Sequence, residues 1–232
     1  MRRHEGKISN KTQPSRCAAV AATMLVGLFV TAMDAGTGPS QAQAASPAAT
    51  QGAEHYVIDA SASQALYRVA ETFIDRNNQF NVAVGITHGI QGTILIDRAH
   101  PRQSRAGPIT VDISQLTSNS RRRDNAIRQQ WLESSKYPAA VFAPTSIQGL
   151  PDTYLDGRDV PIQIAGDLQV RNVTKPVTFT GTVRLEGDML IGHATTAILM
   201  TDFGFDPPSI LGVLKAENQA QLELQLTARR TP

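Results

Sequence analysis

Cysteine is all but missing from this chain: Cys17 is the only one, and it stands at the front of an apolar N-terminal run. Beyond that run there is no thiol for a disulfide, a nucleophile or a thiolate metal site, so the rest of the chain must be held by its core. Aromatic residues are scarce at 5%, which leaves the core to Val, Ile and Leu, and β-branched residues suit pleated strands. Charge of one sign is lacking too. The formal charge is +2, but residues 1–44 carry five basic residues against Glu5 and Asp34, and the remainder holds seventeen basic against eighteen acidic residues. A domain so near neutrality has no electrostatic basis for binding nucleic acid. The five histidines, His4, His55, His88, His100 and His193, lie too far apart for a local metal motif. No G-x-S-x-G elbow, P-loop or dinucleotide fingerprint occurs. The sequence therefore nominates no nucleophile, metal or cofactor and reads as non-enzymatic. Asp202 alone stands out, because it interrupts the apolar ILMTDFGFDPP stretch and would need a hydrogen-bonding partner if buried. A reading as a hydrolase or isomerase acting inside a cavity through Asp202 begins from a single carboxylate with no visible partner.

The N-terminus has the plan of a secretory signal. A basic stretch through Arg16 precedes the apolar run Cys17 to Met33, and Ala42-Gln43-Ala44 forms an A-x-A-like cleavage site. At about 17 residues the run sits at the lower edge of what spans a bilayer, so residues 1–44 are expected to be a signal peptide or an uncleaved signal-anchor. In either case the basic flank places the remainder of the chain outside the cytoplasm, periplasmic or secreted, with membrane association through the N-terminal segment as an alternative. Residues 45–54, rich in Ala, Ser, Pro and Gln, are expected to be a disordered linker, and residues 55–232 the folded domain.

Short alternating runs then take over. In PIQIAGDLQVR, Ile162, Ile164, Leu168 and Val170 share one face and the polar residues share the other. VTFTGTVRLE repeats this with Val177, Phe179, Val183 and Leu185 inward, and AQLELQLTAR with Leu222, Leu224 and Leu226 inward. Gly166 and Gly181 fall in the inward register, which predicts a bend or the close approach of another backbone. Further strands are expected at 64–73, 80–87, 93–97, 109–113, 140–147 and 193–202, with hairpins at Arg171–Thr174 and Glu186–Asp188. One segment breaks the pattern: Ser120 caps a predicted helix that places Ile127 and Trp131 on one face, pairs Asp124 with Arg128 and ends before Pro138. Arg121, Arg122 and Arg123 are either a solvated helix face or a contact for an anionic headgroup or partner. The grammar is all-β, about eight antiparallel strands and one added α-helix. Its inward side chains either fill the interior or line a cavity, and the two patterns are identical in sequence.

An ordered series of landmarks runs from Tyr56-Val57-Ile58-Asp59 through Gly89, Gly92, Ile109-Thr110-Val111-Asp112 and Leu116-Thr117-Ser118. It continues through Arg123-Asp124, Lys136-Tyr137-Pro138, Phe142, Gly166-Asp167-Leu168, Val173-Thr174-Lys175-Pro176-Val177 and Asp202-Phe203-Gly204. In these the chain resembles the YceI-like family of extracytoplasmic polyisoprenoid-binding proteins. The resemblance implies a lipocalin-like antiparallel β-barrel enclosing a tunnel for an isoprenoid-type lipid or quinone, often in a homodimer. It implies a lining drawn from Trp131, Phe142, Ile164, Leu168, Phe179, Val183, Met200 and Phe203. The alternative is a non-enzymatic cell-envelope interaction module with a packed barrel interior.

Overall fold

The computed structural model describes residues 52–232; the predicted signal segment 1–44 and most of the predicted linker lie outside them. Strand formation begins at Ala53, inside the stretch 45–54 expected to be linker, because Glu54 and Tyr56 are drawn into side-chain pairing with Arg98. The strands are β1 (Ala53–Ile58), β2 (Gln64–Phe73), β3 (Gln79–Thr87), β4 (Ile90–Gln91), β5 (Thr93–Asp97), β6 (Arg105–Ala106) and β7 (Ile109–Asp112). They continue with β8 (Ala139–Gln148), β9 (Val160–Val170), β10 (Val173–Glu186), β11 (Met189–Leu199), β12 (Ser209–Ile210) and β13 (Leu214–Arg230).

These thirteen segments amount to eight through-going strands. β1 and β2 succeed one another along the same edge of β13, with Ile58 opposite Ala228 and Gln64 opposite Gln225. β5 pairs with β1 and β3 with β2, so β3, β4 and β5 form the next course. β4 meets β7 and β5 meets β6 to give the third. From there β7–β8, β8–β9, β9–β10, β10–β11 and β11–β13 are antiparallel neighbours in turn. The ladder returns to β13 and closes through the short β4–β7 and β5–β6 pairings, while β3, paired with β2 alone, and β8 beyond Phe142, paired with β9 alone, leave the wall open beside them. β12 is a small flap on the first residues of β13.

The inward glycines act as close-approach positions. A Cβ on Gly166 would lie 2.8 Å from the Phe142 ring, and one on Gly181 would lie 1.9 Å from the His193 carbonyl oxygen. Gly85 makes the same kind of room for Tyr67 across the β2–β3 pair, where a Cβ would come within 2.0 Å of the ring. Pro144 sits at a bulge of β8, where the ladder slips between Pro144 and Ser146. The hairpins β9–β10 and β10–β11 turn at Arg171-Asn172 and Gly187-Asp188, with Arg171 and Gly187 both at positive φ. Strand β11 stops at Leu199, short of the expected 202, and Met200–Phe203 form a 3-10 turn.

One end of the barrel is stitched shut. Tyr56 is fully buried there, its hydroxyl donating to Glu54 (3.0 Å) and accepting from Arg98 (2.9 Å), while Arg98 also reaches Glu54 at 2.7 Å. The other end carries the helical segment, α1 (Arg121–Ala126) continued by a π-helical turn, Ile127–Trp131. Ser120 caps it as predicted, accepting from the Arg123 amide. The predicted Asp124–Arg128 pair does not form. Asp124 is buried and accepts from Ser118 Oγ at 2.5 Å, while Arg128 donates to the Leu116 carbonyl and to Asn125, both at 2.8 Å. Arg171 then ties the chain beyond the helix to the barrel, donating to Glu133 and to the Trp131 carbonyl with its guanidinium over Tyr137.

Gly181→Ala must push the β10 and β11 backbones apart and should cost about 1–3 kcal/mol in denaturant unfolding. Gly192→Ala, whose Cβ would meet nothing closer than 3.6 Å, should be close to neutral. At the seam, Asp59 accepts from Arg229 at 2.8 Å and from Ser61, and the arginine above all holds its pKa down at about 2. A depressed folded-state pKa stabilises above the unfolded value, and that contribution is lost as pH falls through the folded one. The Tm difference between wild type and Asp59→Asn should therefore be greatest above about pH 4 and vanish near pH 2.

Candidate ligand-binding site

The mouth half of the barrel is hollow. A cavity of about 730 Å3 runs from beneath the helical segment to a floor made by Ile109, Phe142, Phe179 and Leu224. Its origin is a size mismatch between walls. On the β2–β3–β13 side the inward residues include Ala65, Ala83, Ala216 and Ala220, whereas Phe142, Leu168 and Phe179 project from the β8–β9–β10 side. Small side chains facing large ones across a barrel of fixed circumference leave the space between them open. Tyr67, Val69, Ile198, Met200 and Leu222 complete the walls, and Ile127, Trp131 and Leu132 close the cavity from the helix.

The floor is a pair of rings. Phe142 and Phe179 meet edge to face with centroids 4.9 Å apart. Below them lies a second void of about 60 Å3, bordered by Ile94, Ile164, Val183, Leu190, Ala194 and Leu226. Of the lining inferred from sequence, Trp131, Phe142, Leu168, Phe179 and Met200 face the large cavity. Ile164 and Val183 face the small void, which Phe142 and Phe179 also border. Phe203 borders neither: the 3-10 turn after β11 takes it out of the strand register and buries it in the core. Asp202, on the same turn, is exposed and so needs no buried partner.

One polar cluster of the cavity lies at a corner beneath α1; Asp75, Arg76 and Gln79 of the β2–β3 turn and Glu223 of β13 are the cavity's other charged or amide residues. Glu71 of β2 is 4% exposed and accepts from Arg123 at 2.5 Å and from Asn81 Nδ2 at 2.6 Å. Arg123 also donates to Asn119 at 2.7 Å. The Tyr67 hydroxyl is pushed up to about 12, chiefly by burial, with Asp124 and Glu71 reinforcing the shift and Arg123 opposing it. It therefore stays a neutral hydrogen-bonding group throughout the physiological range. Glu71, with a guanidinium and an amide on its oxygen, has its buried charge compensated. Among the described residues no three His, Cys, Asp or Glu side chains converge as a metal site would require. What the arrangement can do is hold a molecule with an apolar body and a hydrogen-bonding head.

Sequence reasoning missed this corner. Glu71 reads as a solvated carboxylate until the register Tyr67, Val69, Glu71, Phe73 is traced along one face of β2; that alternation was the one signal pointing to it.

A model of the YceI-like domain matches residues 56–228, three quarters of the chain. The chain belongs to the YceI-like family. Its relatives include a UPF0312 protein of Pseudomonas putida, 33% identical over 169 residues that make up 64% of this chain and 82% of the relative. Protein YceI of Escherichia coli O157:H7 is 30% identical over 105 residues, 45% of this chain and half of that protein. Among solved structures, a polyisoprenoid binding domain from Saccharophagus degradans superposes with a TM-score of 0.58 at 14% identity, covering 76% of this chain and 98% of that one. BcnA of Burkholderia cenocepacia does so with 0.55 at 17% identity, covering 73% and 98%. The superposed solved structures share the YceI-like fold with this chain.

Removing one member of a buried ion pair strands the other. Arg123→Leu alone should lower unfolding stability by about 3–5 kcal/mol. The double variant with Glu71→Leu should recover most of that loss, as a double-mutant cycle in denaturant would show.

Proposed function

We propose that this YceI-like chain is a lipid-binding protein that sequesters or carries a long apolar ligand of isoprenoid type, a polyisoprenoid or a quinone, without changing it covalently. The observation that carries the reading is the cavity: about 730 Å3, walled mainly by aliphatic and aromatic side chains, with a cluster of polar groups, Glu71, Asn81 and Arg123, at one corner near the mouth. That volume falls within the ~300–1,000 Å3 of small-molecule sites. Each methylene taken from water contributes about 0.8 kcal/mol, so ten of them contribute roughly 8 kcal/mol before the cost of association. Few polar contacts are needed, and Tyr67, Asn81 and the Glu71–Arg123 pair supply them where a headgroup would lie.

The name of the Saccharophagus degradans domain, a polyisoprenoid binding domain, supports the same ligand class. The basic and apolar N-terminal sequence supports an extracytoplasmic placement, with residues 1–44 removed or kept as a membrane anchor. A homodimer is part of the same reading.

The test is mass spectrometry, native and after organic extraction, of the chain purified from its own envelope fraction. Wild type should yield a stoichiometric isoprenoid or quinone. Ala220→Phe, which fills the cavity from the alanine wall, should give a folded protein by circular dichroism with little bound lipid. A wild-type protein that is reproducibly empty and takes up no added isoprenoid overturns the assignment, and so does undiminished lipid in the folded variant.

A further inference from the structure

Nine large apolar side chains are exposed among the described residues, and six of them come from two neighbouring hairpins, at their turns and on the strand residues beside them. Ile74, Phe80 and Val82 belong to the β2–β3 hairpin, and Ile210, Leu211 and Val213 to the β12–β13 turn. The tips are neighbours: the Ile74 amide donates to the Val213 carbonyl at 2.8 Å, and Phe73 pairs with Leu214. They project strongly, with Phe80 at 67% and Leu211 at 100% exposure, the latter beside Gly212 in a left-handed turn. The same two tips form the rim of the cavity, to which Phe73, Arg76, Gln79, Ile210, Val213 and Leu214 contribute. An apolar crest this concentrated marks an interaction site.

Its charge setting selects the partner. Arg123 is neutralised by Glu71, but Arg76, Arg121, Arg122 and Lys215 remain exposed around the mouth against Asp75, Asp206 and Glu217. None of these four cations has an ion-pair partner within 4.0 Å among the described residues. Arg76 lies over the Phe73 ring at 4.8 Å, its stem along apolar surface and its head free. Convex tips bearing single projecting apolar side chains, ringed by cations, suit insertion between acyl chains with anionic headgroups on the flanks. A protein partner would instead be met by a flatter surface with packed anchors.

We propose that the barrel mouth docks on an anionic lipid bilayer through the Ile74–Phe80–Leu211 crest, so that an apolar ligand passes between membrane and cavity without crossing water. The proposal rests on the lipid-binding reading of the cavity, and its test separates the two. The full chain is mixed with vesicles of phosphatidylcholine, with or without a third of phosphatidylglycerol, that carry a fluorescent short-chain prenyl lipid. Energy transfer from Trp131, the sole tryptophan and part of the cavity wall, reports arrival of the lipid. Uptake of the same probe from dilute aqueous solution is measured in parallel.

The Phe80→Asp/Leu211→Asp variant, altered outside the cavity wall, should transfer the probe from vesicles roughly tenfold more slowly while taking it from solution as wild type does. Arg121→Glu/Lys215→Glu should slow transfer from the anionic vesicles only, and added salt should slow wild type in the same way. Vesicle transfer unchanged in both variants overturns the docking proposal, and so does an equal fall in vesicle and solution uptake. Wild type that takes up the probe from solution but not from vesicles overturns docking alone. Wild type that takes it from neither overturns the cavity reading and docking with it.

Discussion

Closure of the hydrogen-bond ladder at β13 is the constraint on which the remaining structure depends. One edge of this 17-residue strand is occupied by β11 and the other is shared end to end by β1 and β2. The shared edge fixes the register of both halves of the first course at once. β2 is also the strand that brings Tyr67, Val69 and Glu71 to the cavity, so the seam and the site stand on the same pairing. A slip of one residue there would turn Ala65 and Tyr67 outward and put Arg68 inside. Asp59 and Arg229 hold that seam at the break between β1 and β2.

Along the barrel axis the structure changes character. Toward the stitched end, large inward side chains meet across the interior and the space shrinks to a void of about 60 Å3 beneath the phenylalanines. Toward the helix, alanines on one wall leave the interior open and the polar groups collect at the rim. The packed half supplies the burial that stabilises the fold, and the hollow half is where stability has been given up for space. The interior thus has both characters that alternation alone could not tell apart, each at its own end.

Legibility depended on the range of the interaction involved. β9 and β10 were readable because their alternation is strict, and Gly166 and Gly181 are close-approach positions in the inward register, as that register predicted. The YceI-like resemblance, resting on dispersed short landmarks, agreed with the family match. Where the sequence misled, a distant partner had prevailed over a near one. Asp124 bonds Ser118 and not Arg128, Arg123 reaches Glu71 across 52 positions, and Phe203 leaves the lining because the strand before it ends early. The cavity itself was illegible, since an alanine facing space and an alanine facing a neighbour are written alike. Only the pairing of the strands shows which large residue each one faces.

The edge-to-face pair of Phe142 and Phe179 makes the barrel a gauge as well as a container. On the proposed lipid-binding reading, a chain entering from the mouth would descend until it met the two rings, so the usable depth would be set by where aromatic residues cross the bore and not by the length of the strands. Gly166, lying against Phe142 with no room for a Cβ, keeps that ring seated at its level. Depth is thereby governed by a handful of positions separate from those that close the wall, and barrels of one circumference can be graduated for tails of different length.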